Sequence, residues 1–126
     1  MRITQIALVV RDYDEARDWF VEKLGFTCFE DKSVANEKRW VRVGPSPDFT
    51  LLLARAATPD QSRRVGNQTG GRVFLFLETD DFSRDHDSFR DQGVRFIEEP
   101  RDENYGRVAV FEDLYGNRWD LIERRG

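Results

Sequence analysis

Hydrophobic and polar positions alternate along this chain in two different rhythms. Ile3 to Val10 is a β-branched apolar run and predicts a buried strand. It stops at Arg11-Asp12, where Asp12 and Glu15 form a capping box. The rhythm then lengthens to a helical one over about Tyr13 to Leu24, with Ala16, Trp19, Phe20 and Leu24 on one apolar stripe and Gly25 as the left-handed stop. Three short strands follow at Phe26 to Glu30, Lys38 to Val43 and Phe49 to Ala54, the last two joined by the turn Gly44-Pro45-Ser46-Pro47-Asp48.

Residues 55 to 71 break the pattern with Pro59, Gly66, Gly70 and Gly71, and read as a linker with one helical turn near Pro59. The first plan then returns. Arg72 to Glu78 is a strand, Thr79-Asp80-Asp81 caps a helix from about Phe82 to Gln92, and Gly93 ends it. Strands at Val94 to Glu98, Arg107 to Glu112 and Arg118 to Glu123 complete the half. Strand, helix and three strands, twice over, is an internal duplication. It predicts an α+β fold of two βαβββ modules, residues 1–54 and 72–126, in one domain over residues 1–126. The modules are expected to form one curved, mixed eight-stranded sheet with helices outside and a cup inside.

Composition narrows the chemistry. The 126 residues are 39% hydrophobic and 35% charged, which suits a globular domain and excludes disorder. A net charge of -4 with interspersed signs gives no nucleic-acid surface. The apolar runs are too short to span a bilayer, and no signal-peptide pattern opens the chain, so a cytoplasmic location is expected. Cys28, the single cysteine, excludes an internal disulfide and thiolate metal sites. His86, the single histidine, stands among Asp85, Asp87 and Arg90 and is expected at the surface, away from the cup. That leaves no Ser-His or Cys-His mechanism.

Three stretches resemble the vicinal oxygen chelate superfamily, which includes glyoxalase I, bleomycin-resistance proteins and extradiol dioxygenases. They are ITQIALVVRD from Ile3, the helix end FVEKLGF from Phe20, and FEDLYGN from Phe111. The resemblance covers the whole chain and implies a metal held by four side chains, two from each half. Carried over residue by residue, those positions are Gln5, Leu52, Arg72 and Asp120. Strand alternation separately turns Gln5, Ala7 and Val9, then Arg72, Phe74, Phe76 and Glu78, and finally Arg118, Asp120 and Ile122 toward the cup. Leucine cannot ligate and a guanidinium repels a dication, so neither a metal nor another cofactor is expected.

Asp120, alone in an apolar strand, must be solvated, paired or bound to a metal. An Arg72–Asp120 ion pair, completed by Gln5, is one solution, either structural or in contact with a ligand. Trp40, Leu52, Phe74, Phe76 and Phe111 are candidate apolar walls, and Tyr105 on a glycine-bearing loop is a candidate stacking residue. Glu78, Glu98 and Glu112 are further carboxylates that strand parity could bring to the cup. The resulting expectation is a protein that binds a small anionic or phenolic molecule without a metal, as a C₂ homodimer. The alternatives are a lyase, isomerase or dioxygenase with a non-standard metal site or metal-free acid–base chemistry, and a regulatory module without a ligand.

Overall fold

A computed structural model describes all 126 residues. The chain divides into two compact units, Met1–Val65 and Gly66–Gly126. The first contains β1 (Gln5–Val10), α1 (Tyr13–Leu24), β2 (Thr27–Ala35), β3 (Lys38–Ser46), β4 (Phe49–Arg55) and the single turn α2 (Pro59–Ser62). The second contains β5 (Val73–Glu78), α3 (Phe82–Asp91), β6 (Arg95–Phe96), β7 (Arg101–Glu103), β8 (Gly106–Glu112) and β9 (Arg118–Arg124). The duplicated βαβββ plan is present.

Hydrogen bonding sorts the strands into two sheets rather than one continuous sheet. The first has the order β1-β4-β3-β2, and the second β5-β9-β8-β6, with β7 also on β8. In each, the opening strand pairs in parallel with the closing one, β1 with β4 and β5 with β9, and the remaining pairs are antiparallel. The expected strand at residues 94–98 shrinks to the two residues of β6, and β7 is an additional strand beyond it, so nine strands replace eight. The charged Arg101–Glu103 segment gives no apolar signal, yet it closes a hairpin on β8 across Asn104-Tyr105. Similarly, β2 runs on through polar residues to Ala35 and turns at Asn36 and Glu37, both with positive φ, as a two-residue hairpin requires.

Local signals set the helices. The Asp12 carboxylate accepts from the Glu15 amide at 2.8 Å, and Gly25 ends α1 at φ 71°. Tyr13, Ala16, Phe20 and Leu24 form its buried stripe, over a sheet whose Leu8, Val10, Val41, Val43, Leu51 and Leu53 are fully enclosed. Trp19 sits at the margin of that stripe, half-buried and edge-on to Phe20. In the second unit Asp81 caps α3, and Glu123 of β9 reaches the Phe82 amide at 2.7 Å. That core is aromatic: Phe111 packs against Phe89, Phe96 and Trp119 with centroids 5.4 to 5.8 Å apart.

Candidate functional site

The segment from Asp113 to Asp120 places two buried carboxyls close together in the sequence and treats them differently. Asp113 sits in a tight turn, and all its lone pairs are used. Its Oδ1 accepts from the Tyr115 and Asn117 amides at 3.0 Å. Its Oδ2 accepts from Asn117 Nδ2 and Trp119 Nε1 at 3.1 Å. Burial pushes its pKa up, opposed by those hydrogen bonds. This is a structural acid that folds the turn and anchors the indole of the core.

Asp120 is only 8% exposed, and its Oδ1 has no hydrogen-bond partner. Burial is the main cause of its raised pKa; the charge of Arg101 opposes the shift and that of Glu98 adds to it. Register partners share a face of a sheet, so Asp120 lies beside Phe76 on β5 and Val110 on β8. Val110 is buried, whereas Phe76 is 64% exposed. A buried acceptor without a donor, next to an exposed ring, is a half-made contact.

The Arg72–Asp120 pair does not form. Arg72 lies outside β5 and is exposed, and the cation that acts on Asp120 is Arg101 instead. A β-bulge explains the error in its expected placement. Register is broken between Val73 and Leu75, so Phe74 drops out of the ladder and the strict alternation read back from Phe76 fails before it. Phe74 instead packs edge-on to Trp119, 6.4 Å between centroids. Phe111, expected in the wall, has no exposure and belongs to the core. Tyr105 is exposed in the β7–β8 turn, where its carbonyl accepts from the Arg125 amide.

The three other candidate carboxylates are each committed to an arginine: Glu78 to Arg124 at 2.6 Å, Glu98 to Arg101 at 3.1 Å and Glu112 to Arg95 at 3.6 Å. In the first unit, Gln5 opens β1 opposite Thr50, and Leu52 lies beside Ala7 and Arg42. Trp40 donates its indole N–H to Glu30 at 3.0 Å, and the same oxygen takes the Arg42 guanidinium at 2.7 Å. The Arg42 guanidinium first, and then Lys32, hold the Glu30 pKa down at about 2. Trp40 and Leu52 line one pocket of about 550 Å³; Gln5 is not part of it.

The residues do not fit a divalent metal. Nowhere do three His, Cys, Asp or Glu side chains gather to hold an ion. Of the positions implied by the resemblance, Asp120 alone offers an anionic donor.

His86 is buried, not at the surface where its polar neighbours predict it. It is 8% exposed, stacked on Phe82 and tilted against Phe96, with centroids 5.3 and 4.3 Å away. Phe82, His86 and Phe89 recur at helical spacing, which is the signal that marks the buried stripe. Burial lowers its pKa, and Arg90 adds to the effect. It forms the wall of a second cavity, about 410 Å³, with Arg90, Glu98 and Glu99 at the rim.

Comparison with known proteins gives a consistent placement. The family model of the Glyoxalase/Bleomycin resistance protein/Dioxygenase superfamily matches residues 2–121. An uncharacterized protein of Shewanella frigidimarina (strain NCIMB 400) is 56% identical over 124 residues, covering 96% of this chain and 92% of that protein. The crystal structure of UcmS2 is similar with a TM-score of 0.84 and 27% identity, over 97% of each chain. That of TnmS3, an antibiotic binding protein from Streptomyces sp. CB03234, has a TM-score of 0.79 and 28% identity, over 99% of this chain and 97% of that one. No helix is long and apolar enough to cross a membrane. With its duplicated βαβββ plan and a family match over nearly its whole length, the chain belongs to the glyoxalase/bleomycin resistance protein/dioxygenase superfamily.

Proposed function

We propose that this protein binds a small organic molecule without a metal ion, through the Asp120 carboxyl and the ring of Phe76. The observation that carries the reading is the buried Asp120 oxygen that no protein group reaches. A ligand bringing a phenolic hydroxyl or an amino group supplies the missing donor, and its apolar body covers the exposed Phe76 ring. Without Arg72 alongside, nothing favours an anion at this position; a phenol is the better match. The antibiotic-binding description of TnmS3 supports small-molecule binding as the activity. The reading includes a cytoplasmic C₂ homodimer, to be checked by light scattering against twice the 14.8 kDa chain mass.

The test is a thermal-shift screen of aromatic phenols and amines in chelator. A ligand should raise the melting temperature of the wild type and leave Asp120→Ala unmoved. A shift retained in full by Asp120→Ala overturns the reading. The raised pKa of the same carboxyl favours a second reading, metal-free proton transfer to a bound substrate. Recovery of the bound compound chemically altered by the wild type, and unaltered by Asp120→Asn, distinguishes turnover from binding.

A further inference from the structure

At the end of the first sheet lies a site with the opposite chemistry. β1 and β4 run in parallel with Val9 beside Ala54 and Val10 beside Arg55, so both strands finish together. The Ala56 amide donates to the Val10 carbonyl at 2.9 Å and carries the chain into α2. Thr58 caps that turn and sets Gln61 over the strand ends, with its Oε1 accepting from the Ala57 amide at 2.7 Å. α1 starts at the same end and brings in Tyr13. Together these elements enclose the pocket of about 550 Å³ that Trp40 and Leu52 also line.

Three features decide what fits. The walls are apolar and aromatic, from Val9, Val34, Leu52 and Ala54 to the rings of Tyr13 and Trp40. The volume lies within the range of small-molecule sites, roughly 300–1,000 Å³. The charges are all of one sign: Lys38, Arg39 and Arg55 line the pocket, and no acid does.

Not every cation is available. Arg39 is held by Asp31 at 2.8 Å and Asp14 at 2.9 Å. Arg55 is held only by Glu37, at 3.8 Å and 87% exposed, a geometry worth little in water. Its guanidinium lies 5.6 Å from the Tyr13 ring centroid, which stations it at the wall. Lys38 has no ion-pair partner. A weakly held guanidinium, an ammonium outside any ion pair and an amide donor beside an apolar pocket form a carboxylate-binding arrangement.

We infer that the first unit carries its own binding site for a small aromatic carboxylate, its ring system between Tyr13, Trp40 and the aliphatic wall and its carboxylate on Arg55, Lys38 and Gln61. This site does not depend on the Asp120 reading, which concerns the second unit and a hydrogen-bond donor.

Titration of the full chain with naphthalene carboxylate, followed calorimetrically at low salt, tests it. The wild type should bind saturably. Arg55→Gln should weaken binding about tenfold and Lys38→Gln by a smaller factor, as expected for lost charge-assisted bonds. Naphthalene carboxamide, which keeps the rings and loses the charge, should bind about tenfold more weakly than the acid. Arg95→Gln, which removes the same charge from an exposed position in the second unit, should change nothing. Absence of saturable binding overturns the inference. Equal affinity for acid and amide does so too, as does full affinity in the Lys38→Gln/Arg55→Gln double variant, whose side chains are both exposed.

Discussion

Leu52 and Asp120 occupy the same place in the two repeats. Each lies on the closing strand, opposite a residue of the opening strand, Ala7 or Phe76, and those two stand equally far before the aspartates that cap α1 and α3. One scaffold position therefore holds an aliphatic side chain in one unit and a buried acid in the other. Around Leu52 lies a pocket lined by cations without an acid; around Asp120 lies a carboxyl short of a donor. A duplicated backbone fixes where side chains point and leaves their chemistry free. Here the two copies differ in the side chain they place at that position and in the charges around it, and neither gathers the donors a metal needs.

Substitutions that separate framework from site should sharpen this contrast, beginning with the largest effects. Phe111→Ala empties the centre of the aromatic core and should cost about 4 kcal/mol by denaturant unfolding. Phe76→Ala, on the exposed ring, should change stability by less than about 1 kcal/mol while abolishing ligand-induced stabilisation. Asp113→Ala strands several buried donors and should cost about 3 kcal/mol.

Asp120→Asn should run the other way. The folded-state pKa of Asp120 lies above its ordinary 3.8, so the native state holds that proton more tightly than the unfolded chain. Its contribution to stability falls as pH rises through this window and stays lost above it. The asparagine variant should therefore gain about 1 kcal/mol at neutral pH, and the gain should shrink as pH falls below the folded pKa. A variant less stable than wild type at pH 7 would show that Asp120 is satisfied within the protein.

His86 gives the smallest effect and the opposite sign. Its folded pKa lies below 6.5, so the stability of the neutral ring is present above that pH and is lost as pH falls through 6.5 toward the folded value. His86→Gln should flatten this acid limb by less than about 1 kcal/mol. An unchanged limb would mean that the imidazole is solvated.

Sequence reading succeeded where local chemistry and tertiary packing agree. The Asp12 cap, the apolar stripe and Gly25 delimit α1 to the residue, and the turn word of Asp113 to Asn117 locates β9 and Asp120. It failed where one signal was extended past a break. Alternation carried back along β5 ignored the bulge at Phe74, and with it went the supposed partner of Asp120. It failed again where neighbours outvoted spacing. Asp85, Asp87 and Arg90 made His86 look exposed, although its interval from Phe82 and Phe89 marks the buried face. The pocket around Arg55 was invisible because its members come from β1, α1, β3, β4 and α2, and only chain folding assembles them.

Asp120 serves an organic ligand in this proposal, at a position where the family resemblance implies a metal donor. Calorimetric titration of a phenolic or amine ligand from the screen, with and without excess chelator, tests it directly. Affinity should be the same in both and should vanish in Asp120→Ala. Binding that is lost in chelator and restored by a divalent metal would contradict it.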